Sequence, residues 1–300
     1  MRRILQSSLQ HLIRHWPVVV FLYAALLAPT LIFGAVAWAR LQVALDRSLA
    51  GRTLLKDLDL NVFVDLFVHR KDAMVGIGIA ASLIAAGALM VWIWLQASTI
   101  AAASDDESLS DALRRGSEVF PAFFRLWLIA VVVNVAIVAL FYCVSRALLW
   151  LTAESVSELT PYWVVGACGL AAGLVLLLSM VVHDHARIHC VAAEVDAFAA
   201  YRWALRFCLR DERRTVQLAL VAFGAGLALW SIYQGVAALV PTTATPGVVT
   251  SLLWGQALIL ARVAARFWYF AAAHEMQASA LFEWDRSALA AVNDRQLAES

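Results

Sequence analysis

The chain has 300 residues, 63% hydrophobic content and a formal net charge of +1, with a mean hydropathy of +0.77. Ordinary soluble domains hold about 45–50% apolar residues, so this composition excludes a simple water-soluble globule. The near-zero net charge gives no basic excess for a phosphate backbone, so nucleic acid is not an expected partner.

The opening MRRILQSSLQHLIRHW leads into an uncharged run at 17–39. That run exceeds the roughly 7–15 residues of a secretory signal core, and further apolar runs follow, so it reads as a retained first helix. Four more stretches contain no Asp, Glu, Lys, Arg or His: 73–104, 126–145, 159–182 and 215–261. About 20 apolar residues cross the roughly 30 Å hydrocarbon core of a bilayer. The last stretch is broken by Pro241 and Pro246 and so supplies two crossings. The expected fold is all-α: a polytopic membrane protein with six spans, near 17–39, 73–99, 126–148, 161–183, 215–240 and 248–273. With most of the chain committed to spans, one integral membrane domain over 1–300 is the simplest organisation.

Orientation follows from basic residues in short loops. If both termini are cytoplasmic, fourteen Arg fall inside and seven Arg or Lys outside. Six of those seven lie in the first outer loop, 40–72, interleaved with Asp46, Asp57, Asp59, Asp65 and Asp72. Leu58, Leu60, Val62, Val64, Leu66 and Phe67 in that loop suit a short helix on the outer surface. Tryptophans mark the span boundaries, since their rings favour headgroup depth: Trp16, Trp38, Trp127, Trp150 and Trp163. Arginine so outnumbers lysine, which occurs only as Lys56 and Lys71, that a bacterium with a GC-rich genome is the expected source.

A weak internal repeat emerges once the spans are placed. LQHLIRHWPVVVFLYAAL at 9–26 aligns with LRRGSEVFPAFFRLWLIA at 113–130, sharing the prolines at 17 and 121, and LRFCLRDERRTVQLALVA at 205–222 occupies the same place before the fifth span. The reading is three pseudo-repeated hairpins, each fed by an amphipathic interfacial helix. Such repeats often build sites where the copies meet. Small residues are the expected helix contacts, because lipid gives no hydrophobic incentive for helices to associate. They include Gly169 and Gly173, Gly224 and Ala228, and Gly76, Gly78, Ser82 and Gly87.

Chemistry concentrates at the cytoplasmic ends. Arg262 and Arg266 lie one turn apart near the end of the sixth span, sharing a helix face with Ser251, Gly255 and Tyr269. Intramembrane charges often mark substrate or ion paths, and guanidinium grips phosphate bidentately, so Arg262, Arg266 and Tyr269 form a candidate anion or lipid-phosphate site. The structural alternative is snorkelling, or pairing with Asp184 or another group at the same end. No carboxylate lies within the expected spans, which argues against a proton relay in the bilayer.

Arg202, Arg206 and Arg210 form a basic stripe with Tyr201, Leu205 and Cys208 at apolar spacing, as in a helix lying on anionic headgroups. A topological role, holding this loop inside, is the simpler explanation of the stripe. His185 and His189 have the i, i+4 spacing of a metal pair, but a third ligand and the H-E-x-x-H pattern are missing, so no metal is expected. Haem would need histidines deep in facing spans. The four cysteines, Cys143, Cys168, Cys190 and Cys208, include no C-x-x-C pair. No Walker loop, G-x-S-x-G or G-x-G-x-x-G occurs, so neither a cofactor nor an enzymatic centre is expected.

The hairpin units, with SLSDALRRGSEVFPAFFRLWLIA at 108–130 and VAAEVDAFAAYRWALRFCLR at 191–210, resemble bacterial six-helix inner-membrane proteins related to the membrane domain of some glycerophosphoryl diester phosphodiesterases. The resemblance implies the fold and an inner-membrane location. The phosphodiesterase domain has no counterpart in this chain, so that activity is not implied, and no site residue is carried over. The expected function is that of a non-enzymatic accessory or scaffold subunit in contact with membrane lipids, other subunits or copies of itself. The alternative is a permease or lipid-handling protein using Arg262 and Arg266.

Overall fold

The computed structural model describes residues 1–45, 71–104, 108–153, 157, 159–240 and 245–299. Among them are eight helices and no strand: α1 (Arg2–Arg14), α2 (Trp16–Leu45), α3 (Lys71–Ser104), α4 (Leu109–Leu151), α5 (Thr160–Ala193), α6 (Ala197–Arg210), α7 (Glu212–Leu239) and α8 (Thr245–Glu299). Six of these, α2, α3, α4, α5, α7 and α8, are long and apolar enough to cross a membrane. The surface helix expected around Leu58–Phe67 lies outside the described residues.

Local chemistry sets most helix boundaries. Pro17, Pro161 and Pro246 each occupy the second position of a helix, where the missing N–H has no helical partner to lose. Ser108 caps α4 by accepting the Asp111 N–H at 3.3 Å, and Asp196 caps α6 by accepting the Phe198 N–H at 3.2 Å. Between α5 and α6 the chain turns through Glu194 at φ 52°, a left-handed residue that stops α5 and lets α6 fold back against it.

The chain divides into two compact units, Met1–Val19 with Trp94–Ser300, and Val20–Ile93. The smaller one holds most of α2 and the first part of α3. Its Gly76, Gly78 and Gly87 would each admit a Cβ with nothing within 4 Å, and Ser82 satisfies its hydroxyl on its own helix at Gly78 O, 2.9 Å away.

In the larger unit the core does not lie midway along the spans. The apolar windows of α4, α5, α7 and α8 are only 6%, 6%, 11% and 0% buried. The buried residues instead gather where the spans meet the amphipathic helices: Leu95 and Ile100 of α3, Phe123 and Leu126 of α4, Ala186 and Cys190 of α5, Ala200, Ala204 and Phe207 of α6, Leu218 of α7, and Phe267, Phe270 and Met276 of α8. The cause is solvent. Water drives apolar association at the polar ends, whereas the acyl chains along the span centres are as apolar as the side chains they surround.

This arrangement corrects the expectation that helix contacts follow the small residues. Gly169, Gly173 and Gly224 have nothing within 4 Å of an added Cβ. The close approach is at Gly116 of α4 instead, where a Cβ would meet the Ser98 backbone of α3 at 2.9–3.0 Å. One polar mid-span contact joins α5 to α4, where Ser179 donates to Asn134 Oδ1 at 3.1 Å.

The three segments aligned as repeats take different forms. α1 is a separate helix before α2, the 113–130 segment lies inside continuous α4, and α6 is split from α7 at Asp211. Pro17 starts a helix, while Pro121 sits within one.

Candidate functional site

Asp184 of α5 is the hub of the polar cluster. Its Oδ1 accepts from Arg266 of α8 at 2.6 Å and from Arg187, one turn along α5, at 3.3 Å. The Asp184 side chain is 8% exposed and Arg187 13%, while Arg266 is 38% exposed. Two guanidiniums thus share one carboxylate, and the surplus positive charge is spread over aromatic faces. The Arg266 guanidinium carbon lies 4.6 Å from the Phe270 ring centroid and 5.3 Å from that of Tyr269, and Arg187 sits 5.9 Å from Phe123. Ring quadrupoles attract cations at such distances.

The structure therefore brings Arg266 onto the Tyr269 ring, beside Asp184 at one end of the spans. Arg262 is separate from them. It is exposed and, among the described residues, makes no ion pair.

The histidines beside Asp184 are packing elements. His185 is 1% exposed, accepts at Nδ1 from Gln277 Nε2 at 2.9 Å and lies 5.1 Å from the Phe207 ring. Gln277 also donates to the His185 carbonyl at 3.1 Å. Because Nδ1 accepts, the ring proton of a neutral His185 is on Nε2. His189 stacks on Trp203 at 3.9 Å, and His183 meets Tyr201 edge-on at 5.9 Å. The i, i+4 spacing of His185 and His189 matches the spacing of Phe207 and Trp203 on α6. Among the described residues no group of three His, Cys, Asp or Glu could hold a metal ion.

On α6, Arg202, Arg206 and Arg210 are exposed, as the sequence suggests. Of the expected Tyr201, Leu205 and Cys208, Tyr201 packs against the core and Cys208 is half-buried, whereas Leu205 is exposed. The fully buried face is formed by Ala197, Ala200, Ala204 and Phe207, because small alanines let α6 approach α5 closely. Leu205 is exposed together with Phe198 and Leu209, so the outward face mixes three apolar side chains with arginines. That mixture suits the membrane interface. Burial pushes the Cys208 thiol up to about 12. Asp196 is held below the usual carboxylate range, chiefly by the Phe198 N–H and further by the Ala197 N–H and Arg125, against a smaller opposing effect of desolvation. Arg125 lies 3.2 Å from its Oδ1.

Several supporting residues carry no sequence signal. Arg115 reaches from α4 to the α5 terminus, donating to the Val191 carbonyl at 3.3 Å and pairing with Glu194 at 3.5 Å. Gln277 and Gly116 likewise acquire their roles from partners far away in the chain.

Comparison with known protein families, curated proteins and solved structures finds no match to this chain.

Proposed function

We propose that this chain is a non-enzymatic integral membrane protein that serves as an accessory or scaffold subunit of a membrane assembly, with lipid as its constant neighbour. The observation that supports this is the mismatch between where the chain packs on itself and where it is apolar. The larger unit is built around its polar ends, leaving the apolar windows of four spans 0–11% buried. Gly169 and Gly173 form an open strip on α5, the kind of surface that lets another helix come close. The polar groups at Asp184 are engaged in holding helices together.

The likeness to the bacterial six-helix proteins and the positive-inside count support a bacterial inner-membrane location with both termini cytoplasmic. The test is native mass spectrometry of the full chain extracted in mild detergent. Stable partners or self-association are expected, weakened by Gly169→Ile with Gly173→Ile. A strictly monomeric protein that moves solute across liposomes would overturn the reading.

A permease or anion-handling role is the second reading, favoured by the surplus guanidinium at Asp184. Under it, Arg266→Gln with Arg262→Gln abolishes transport or lipid retention while the fold survives. Loss of the fold alone assigns the arginines to structure.

A further inference from the structure

A cavity of about 630 Å³ opens between α1, the end of α3 and α8, lined among others by Ser7, Ser8, His11, Arg14, Ser104 and Glu275. This volume lies within the about 300–1,000 Å³ typical of ligand sites. Its walls are well fixed. Trp268 Nε1 donates to the Leu5 carbonyl at 3.4 Å, His11 Nε2 donates to the Ala102 carbonyl at 3.1 Å, and the His11 ring stacks on Phe267 at 5.9 Å.

The informative group is Glu275. It is half-buried, and its two carboxylate oxygens lie 2.8 and 2.6 Å from the Ser7 hydroxyl. One hydroxyl has one proton, which satisfies one of about four lone-pair positions on an ionised carboxylate. Among the described residues Glu275 forms no salt bridge. A partly desolvated carboxylate without a counter-charge is costly, so a cavity beside it favours a cationic donor. Ser7 and Ser104 add hydroxyl oxygens that can accept from an ammonium group.

Arg14 lines the same cavity and supplies the opposite charge. It has an interaction within the chain, but five N–H donors leave capacity for a second partner such as phosphate. A carboxylate and a guanidinium on one small cavity select a zwitterion that joins an amine to a phosphate. The depth also fits. Leu9 and Ile13 of α1 are 50% and 70% exposed and lead to exposed Trp16, which sets α1 at the headgroup level rather than in bulk water.

We propose that this cavity binds a primary-amine phosphate group, the headgroup of an aminophospholipid, with its ammonium on Glu275 and its phosphate on Arg14. The proposal deepens the lipid contact in the reading above and is independent of the scaffold role.

The test is calorimetric titration of the full chain in detergent with short-chain phosphatidylethanolamine, phosphatidylglycerol and phosphatidylcholine, and with phosphoethanolamine in solution. Phosphatidylethanolamine is expected to bind at least about tenfold more tightly than the other two lipids, a difference of about 1.4 kcal/mol. Phosphatidylglycerol lacks the ammonium, and phosphatidylcholine lacks N–H donors. Glu275→Gln should erase the preference, and Ala278→Trp, which fills the cavity from the next turn of α8, should erase binding. Phosphoethanolamine binding as tightly as the lipid supports the same chemistry with a soluble source, and much weaker binding supports the lipid. Equal binding of all three lipids, or a preference that survives both variants, overturns the proposal. Native mass spectrometry of the same samples reports subunit association separately, so a failed headgroup site and a failed scaffold role give different results.

Discussion

Asp184 and Arg266, 82 positions apart in sequence, meet at 2.6 Å and tie α5 to α8 at the polar end of the larger unit. Removing one member of a buried ion pair leaves the other charge uncompensated, which costs about 3–5 kcal/mol when both are fully buried. Arg266 is 38% exposed, so solvent moderates the loss, and Asp184→Asn should destabilise by about 2–3 kcal/mol. Reversible unfolding in mixed detergent measures it. Arg262→Gln, at an exposed position without an ion pair among the described residues, should change stability by less than about 0.5 kcal/mol.

The glycines separate by where they face. Gly116→Ala places a methyl 2.9–3.0 Å from the Ser98 backbone and requires α3 and α4 to move apart, at about 1–3 kcal/mol. Gly169→Ala and Gly173→Ala meet nothing within the chain, and the gain in helix propensity should leave the melting temperature unchanged or raised. A melting series over the three variants checks the order.

Asp196 predicts a pH-dependent difference. Its carboxyl titrates below the usual range in the folded chain, so ionised Asp196 contributes stability above the ordinary Asp value of about 3.9, and the contribution is lost as pH falls through the lower folded value. Asp196→Asn should therefore melt earlier than the parent at neutral pH, with the gap closing in strong acid. Paired melting curves from pH 7 to pH 2 test this, and a constant gap contradicts it.

Cys208 should be nearly inert. With its thiol pushed up to about 12, its thiolate fraction near neutral pH is about a thousandfold below that of an unperturbed cysteine. A chain retaining Cys208 alone should label with a water-soluble maleimide only after unfolding. Rapid labelling in the folded state would show that α6 is not docked as described.

Among the described residues Gln277 is the hydrogen-bond donor to buried His185 Nδ1, so Gln277→Leu should cost about 1–3 kcal/mol by leaving that acceptor unsatisfied. A Gln277→Asn variant, too short to span the same gap, should behave similarly in the same melt.

The spans were legible because membrane insertion depends on local composition: about 20 uncharged apolar residues qualify as a crossing whatever lies elsewhere in the chain. The exposed stripe of Arg202, Arg206 and Arg210 was legible for a related reason, since helical spacing fixes which residues share a face. The packing was not. Small-residue spacing suggested Gly169 and Gly173 as contacts, yet Gly116 makes the close approach, because every glycine permits contact and only a facing helix creates it.

Sequence by itself determined an all-helical chain with six apolar helices and placed most of its chemistry at one end of them. Tertiary structure alone decided that Arg266, rather than Arg262, reaches Asp184, that the histidines sit on the aromatic rings of α6, and that Glu275 and Arg14 line one cavity. The physical reason lies in range. Hydropathy and helical periodicity act over a few turns, whereas an ion pair between α5 and α8 depends on two helices arriving side by side in one register, which no local pattern encodes.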